Sequence, residues 1–221
     1  MRIVRDGRGP ILGSFLIFGG VALLAIMLDW MLVPWVSVGA LIVAVAFFAY
    51  FFRDPDRTAP EDPAVIVSGA DGVVRAVEPI EEGKHLNVPT IRISVFLNPF
   101  DVHVNRAPIG GTVKGLGYTP GKHLLTMSNA SSEYNEHSSI VIENESTRCL
   151  VKQIVGPVVR RVVYWLTLDQ VLGKGDRIGM MKFGSRMDIY LPAADVDVTV
   201  KKGDRVRAGE TPIATLKQKH V

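Results

Sequence analysis

"FFAYFFRDPDRTAPEDPAVIVSGADGVV", Phe47–Val74, changes character twice. It opens as the end of an uncharged aromatic and aliphatic run and passes through "RDPDRTAPEDP" (Arg53–Pro63), which is dominated by proline and charge. It closes on valines and an isoleucine set between glycines and aspartate. Proline lacks the N–H that an inner helical turn needs, and its ring clashes with the preceding turn. A helix ending near Phe52 cannot run on through Pro55, Pro60 and Pro63, so the stretch is a boundary between two parts of different build. The expected division is an anchor of residues 1–57 and a domain of residues 58–221.

Upstream, Ile11–Leu28 and Trp30–Phe52 carry no charged residue. At a helical rise of ~1.5 Å per residue each run covers roughly the hydrocarbon core of a bilayer. The expected structure is a transmembrane helical hairpin turning at Asp29. Arg2, Arg5 and Arg8 precede the first span, and Arg53 and Arg57 follow the second. An excess of Lys and Arg marks the cytoplasmic side, so both ends and the following domain are expected on the cytoplasmic face of the membrane. A cleaved signal peptide fits poorly, because the small triplet Ala44-Val45-Ala46 lies inside the second run with more apolar residues behind it.

Downstream, short runs rich in β-branched residues recur between glycine and proline turns: VIVSGADGVVRAVE, TIRISVFLN, DVHVN, GTVKGLGY, SSIVIENE, CLVKQIVG, MDIYL and VDVTV. This spacing predicts a β-rich (α+β) sandwich or barrel-like domain with one helix over Val158–Leu166. Lys174-Gly175-Asp176-Arg177 is echoed by Lys202-Gly203-Asp204-Arg205, which predicts the same Gly-Asp turn twice.

The 221-residue chain is 48% hydrophobic, more than one soluble core needs, and the hairpin accounts for the excess. Its net charge of +3 is spread among acidic residues, which gives nucleic-acid binding little support and suits a weak attraction to anionic lipid. Cys149 is the only cysteine, so the chain can form no internal disulfide and no thiolate metal cluster. That leans toward a reducing compartment. The five histidines show no metal-ligand spacing, and no metal is expected.

Within "FLNPFDVHVNRAP", strand alternation puts Asp101, His103 and Asn105 on one face and Val102 and Val104 on the other. An ordinary histidine on a surface strand fits the same pattern. Asp71 precedes Gly72 in a sequence common in hairpin turns. "MMKFGSRMDIYLP", Met180–Pro192, interrupts a strand-like run with Gly184-Ser185. It lacks the nucleophile-elbow, phosphate-loop and dinucleotide patterns. It resembles the Met-Lys-Met hairpin of biotinyl carriers, with Phe183 where the second Met belongs, so a membrane-tethered biotinyl or lipoyl-like carrier without catalysis is the alternative reading.

A Gly-Ser bond has a further chemistry. Glycine leaves its carbonyl unshielded, so a neighbouring serine hydroxyl can attack it when a base takes the proton. The amide becomes an ester, elimination frees the upstream chain, and hydrolysis of the resulting dehydroalanine leaves a pyruvoyl ketone. Such a ketone condenses with a primary amine as a Schiff base and accepts the electrons of a breaking bond.

Together "FFRDPDR", "SGADGVV", "FLNPFDVHVNRAPIGGTV", "SSEYNEHSS" and "GMMKFGSRMDIYLP", in that order, resemble the phosphatidylserine decarboxylase family in its short bacterial form. The resemblance implies self-cleavage at Gly184-Ser185, giving a large chain 1–184 that stays bound to a small chain 185–221. It implies a covalent pyruvoyl group made from Ser185, with phosphatidylserine in the bilayer as substrate and phosphatidylethanolamine as product. Pairing of two protomers is compatible with it. Longer members carry an Asp-Gly turn and a D-Y-H-x-x-H-x-P pattern. The aspartate falls on Asp71 and the first histidine on His103, while Arg106 stands at the second. His103 is therefore expected to serve both steps as general acid and base, with Asp71 as its orienting carboxylate; the alternative is that another group, for instance His137, comes in from a distant loop. Arg106, Arg160 and Arg161 are candidates for the lipid phosphate.

Overall fold

The computed structural model describes residues 2–126, 131–157, 162–182 and 185–217. The chain divides into two compact units, Met1–Asp56 and Arg57–Val221.

In the first unit, β1 (Arg2–Ile3) pairs antiparallel with β2 (Arg53–Asp54), and between them run α1 (Arg8–Met27) and α2 (Val33–Phe51). Pro34 sits at the start of α2, where its missing N–H has no intrahelical partner to lose. The two helices are long and apolar enough to cross a bilayer. Leu16, Trp35 and Met31 are among the large apolar side chains they and their turn leave exposed.

The second unit is built from strands β3 (Val65–Val67), β4 (Gly72–Glu82), β5 (Val88–Phe96), β6 (Val104–Arg106) and β7 (Gly111–Thr119). A one-turn helix α3 (Ser131–Tyr134) follows, then β8 (His137–Glu143), β9 (Arg148–Ile154), β10 (Val162–Tyr164), β11 (Val171–Leu172) and β12 (Arg177–Met181). The chain closes with β13 (Arg186–Pro192), β14 (Val196–Val198), β15 (Arg205–Val206) and β16 (Pro212–Leu216). Eight strands form a curled half-barrel sheet in the order β11-β7-β8-β9-β13-β5-β4-β15, with two three-stranded sheets, β10-β12-β6 and β14-β16-β3.

Period-two alternation sorts the large sheet into two faces. Ile93 and Val95 of β5, Met187 and Ile189 of β13, Val151 of β9 and Ile140 of β8 join Ile66, Ile178 and Ile213 of the small sheets in one core. Their neighbours Arg92, Ser94, Arg186, Asp188, Tyr190 and Lys152 point the other way. On that outer face Asp188 stands opposite Ser94 and Lys152. Both faces of β13 are buried throughout, although its sequence alternates polar and apolar like a half-exposed strand, because the polar face is covered as well.

The expected helix over Val158–Leu166 is not met. Val158–Arg161 lie outside the described residues, and Val162–Tyr164 is strand β10, paired with Gly179–Met181 of β12. The β-branched valines favour a strand, and pairing satisfies an edge of β12 that a helix would leave open. The two Lys-Gly-Asp-Arg segments do form one turn twice. Gly175 and Gly203 both take a left-handed φ, +86° and +99°. The N–H of Gly173 donates to the Asp176 carboxylate and that of Lys201 to Asp204. The Gly175 and Asp176 pairing with Ala107 is repeated by Gly203 and Asp204 with Val74.

Asp71-Gly72 is not a hairpin tip but the entry to β4. Gly72 has φ +147°, and a Cβ there would stand 2.0 Å from the Phe96 carbonyl oxygen. Gly72→Ala should therefore lower the unfolding free energy by about 2–3 kcal/mol, read from denaturant titration in detergent. An unchanged midpoint would show that the approach is not tight.

Candidate active site

The loop from Leu97 to His103 is locked by its own side chains. The Asn98 N–H donates to the Asp101 carboxylate at 2.8 Å, the Asp101 N–H returns to the Asn98 carbonyl at 2.9 Å, and Asn98 Oδ1 accepts the Phe100 N–H at 3.1 Å. Arg205 holds the second Asp101 oxygen at 2.8 Å. The two ends of this loop grip the segment that carries the expected scissile bond. The Leu97 N–H donates to the Ser185 carbonyl at 3.0 Å, and the Met181 N–H donates to the His103 carbonyl at 3.3 Å.

Between those two bonds the chain leaves β12 of a small sheet and enters β13, which lies between β5 and β9 of the large one. Phe183 and Gly184 lie outside the described residues. Ser185 is fully buried, and its Oγ has no hydrogen-bond partner among the described residues. By alternation with Arg186 and Met187 it points to the inner face of the sheet.

His103 is also fully buried, not a surface histidine. Its Nδ1 lies 2.9 Å from the Asp101 carbonyl oxygen. A carbonyl can only accept, so Nδ1 carries the proton and, in the neutral ring, Nε2 carries the lone pair that a base needs. His103 just precedes β6, and Asn105 within it is fully buried as well. Asn105 Oδ1 accepts from Gln153 Nε2 at 2.7 Å, and Gln153 Oε1 accepts from Ser138 Oγ at 2.7 Å. Sequence reading missed Gln153 and Ser138, since nothing local links three strands so far apart in the chain.

Asp71 is taken up elsewhere. Its two oxygens accept Arg57 Nη1 at 2.5 Å and Nη2 at 2.8 Å, and Oδ1 also accepts the Ala208 N–H at 2.8 Å. Among the described residues none of its bonds goes to His103. Its turn still bears on β6, because the Gly69 carbonyl accepts the Arg106 N–H at 2.9 Å. Arg57 stood in the quoted "FFRDPDR" but read only as part of a boundary and as a positive charge flanking the second span. Arg57 and Asp71 are both nearly buried, at 7% and 12% side-chain exposure, so removing one partner strands the other. Arg57→Met should cost about 3–5 kcal/mol in thermal unfolding, most of it recovered in Arg57→Met/Asp71→Leu. A single variant as stable as the parent would contradict this.

Arg106 is buried, with Nη1 donating to the Gly175 carbonyl at 3.0 Å. Arg160, Arg161 and Gly184 fall outside the described residues. His137 is brought to the other side of the sheet from Ser185, since it pairs with Ile154 and lies with Arg186 on the outer face. Its Nδ1 lies 2.7 Å from the Asn135 carbonyl oxygen, and burial draws its pKa down.

That outer face holds a second polar network. Arg186 Nε donates to Asp188 at 2.6 Å and Nη2 to Ser94 Oγ at 2.7 Å, while Ser132 Oγ donates to Asp188 at 2.7 Å. These bonds fix the strand that starts just after Ser185. A cavity of about 410 Å³ opens beside them, where burial lowers the Lys152 pKa and pushes the Tyr190 phenol up to about 12. Among the described residues no group of three or more His, Cys, Asp or Glu side chains could hold a metal ion. Lys182, which a carrier would modify, is half-buried.

The arrangement thus places a buried serine hydroxyl at the head of a central strand, on a segment gripped by the loop that carries a buried histidine with a free-base tautomer.

A family model described as phosphatidylserine decarboxylase matches residues 44–214. The phosphatidylserine decarboxylase proenzyme of Desulfotalea psychrophila is 43% identical over 79% of this chain and 82% of its own length. That of Carboxydothermus hydrogenoformans is 46% identical over 77% and 80%. That of Symbiobacterium thermophilum is 38% identical over 98% and 96%, a match that takes in both N-terminal helices.

Proposed function

The chain belongs to the phosphatidylserine decarboxylase family, and from that premise we propose that it is made as one inactive polypeptide, cuts itself between Gly184 and Ser185, and then converts phosphatidylserine to phosphatidylethanolamine. The observation that carries the reading is the double grip on residues 181–185. Leu97 holds the Ser185 carbonyl, and the His103 carbonyl holds Met181, so the loop that carries the histidine meets the chain on both sides of the expected scissile bond.

In self-cleavage His103 Nε2 takes the Ser185 Oγ proton, Oγ adds to the Gly184 carbonyl carbon, and the C–N bond breaks as the departing amine is protonated. The ester so formed loses the Ser185 Cα proton and expels the Gly184 carboxylate. Water then replaces the nitrogen, which leaves as ammonia. Residue 185 suits the resulting pyruvoyl group, because its Oγ makes no hydrogen bond among the described residues that its loss would break, and its carbonyl is already held by Leu97. When present, that group supplies an electron sink for loss of carbon dioxide from an amine-linked substrate. The chain's own residues then position and protonate: the Leu97 N–H holds the adjoining carbonyl, and His103 returns a proton to the substrate Cα. Asp71, through Arg57 and the Gly69 turn, keeps β6 and its histidine in place.

The N-terminal helices give this chemistry a location. With Arg2, Arg5, Arg8, Arg53 and Arg57 at one end of the hairpin and Asp29 at the other, the domain lies on the cytoplasmic face, beside a substrate whose acyl chains stay in the bilayer. Detergent-purified protein given carboxyl-labelled phosphatidylserine is expected to release labelled carbon dioxide and leave phosphatidylethanolamine. No release from a correctly cut protein would refute the substrate.

A further inference from the structure

The outer face of the large sheet, opposite the one that carries Ser185, forms the floor of the cavity of about 410 Å³. Arg92 and Tyr190 stand across from each other on β5 and β13, and Lys152 of β9 stands between Asp188 and Ser139 on its two neighbouring strands. The turn between β4 and β5 adds Lys84 and His85 as a wall. The carboxylates closest to these cations are already engaged. Asp188 accepts from Arg186 and Ser132, and Glu78 accepts from Arg92 Nη2 at 2.6 Å. Glu82 accepts the backbone N–H groups of Lys84, His85 and Leu86 at 3.3, 2.8 and 2.7 Å. Lys152 is left over. Among the described residues its ammonium forms no hydrogen bond or ion pair, not even with Ser139, whose buried Oγ has no partner there either. It lies instead 5.1 Å from the centre of the Tyr190 ring. A half-buried ammonium without an acceptor is costly, and burial draws its pKa down. A methionine would fill the same space at no such cost, so the charge is explained by an acceptor from outside the chain.

We propose that this cavity binds a single phosphate group, held by Lys152 from the sheet and by Lys84 and His85 from the turn, as a site separate from Ser185 on the opposite face. A tetrahedral oxyanion accepts hydrogen bonds from several directions, which suits donors that arrive from a sheet and a turn at once. A planar carboxylate is matched better by one two-pronged donor. His137 also lines the cavity but adds no positive charge at neutral pH, since burial draws its pKa down. Glu81 and Glu133 line it from exposed positions and repel a polyanion, which argues against nucleic acid and polyphosphate. The volume admits a phosphate with a small substituent, so the group arrives either as free phosphate or as the headgroup of a phospholipid. The inference does not depend on self-cleavage at Gly184-Ser185.

Full-length wild type, Lys152→Met and Lys114→Met are titrated in non-ionic detergent at fixed ionic strength, with calorimetry as the readout and thermal unfolding as the check on folding. Lys114 controls for net charge, because its exposed ammonium pairs with Asp169 outside the cavity. The probes are inorganic phosphate and glycerophosphoglycerol, the soluble diester headgroup of a phospholipid. Wild type should bind one equivalent of at least one probe. Lys152→Met should bind it about 10–100-fold more weakly, the range for losing a hydrogen bond to a charged group, and Lys114→Met as wild type does. Tighter binding of inorganic phosphate marks free phosphate as the occupant, and tighter binding of the diester marks a lipid headgroup. No saturable binding of either probe to wild type, equal affinity in Lys152→Met, or equal weakening by Lys114→Met overturns the site. Should Lys152→Met fail to fold, Lys84→Met in the exposed turn decides. Binding about tenfold weaker there supports the site, and unchanged binding ends it.

Discussion

Ser185→Ala is expected to yield one uncut chain of full length and no carbon dioxide from phosphatidylserine, a complete loss of both activities. The hydroxyl is the proposed nucleophile of self-cleavage and its carbon framework the source of the ketone, so no other group in the chain replaces it. The variant also separates chemistry from folding. Ser185 Oγ makes no hydrogen bond among the described residues, and deleting an unsatisfied buried hydroxyl removes a desolvation cost of about 1–3 kcal/mol. The uncut protein should unfold at no lower temperature than other uncut variants. Decarboxylation by an uncut Ser185→Ala chain would rule out the ketone mechanism.

His103→Gln should slow self-cleavage by about 10²–10⁴-fold, the range for loss of a positioned general base. Glutamine can still donate to the Asp101 carbonyl that now holds Nδ1, so the loop retains its lock while the basic nitrogen is gone. The small fraction that does mature should also turn over slowly. Normal maturation with lost decarboxylation would confine His103 to the second reaction, and normal rates in both would remove it from the site.

How legible this site was depends on the range of each interaction. The hairpin is read from uncharged runs and flanking arginines because membrane insertion is decided by local composition. The repeated Lys-Gly-Asp-Arg turn is legible for the same reason: Asp and Gly act within four residues. Alternation put Asp101, His103 and Asn105 on one face, but it does not say whether a face meets water, and His103 and Asn105 are both fully buried. The bonds that give those residues meaning are non-local. Arg57 reaches Asp71 and Ala208 from the boundary segment, and Asn105 depends on Gln153 and Ser138 from two further strands. The misread helix is of the same type. Val162–Tyr164 became a strand because β12 offers it an edge, which no local pattern discloses.

The account stands most directly on the covalent state of the chain. Intact mass measurement of the purified protein under denaturing conditions should find two polypeptides, 1–184 ending in a free glycine carboxylate and 185–221 lighter by one ammonia than a serine-started chain. The small chain should react with a carbonyl reagent and resist stepwise N-terminal degradation. A single chain of 221 residues with an unmodified Gly184–Ser185 bond, in a preparation that decarboxylates phosphatidylserine, would contradict it.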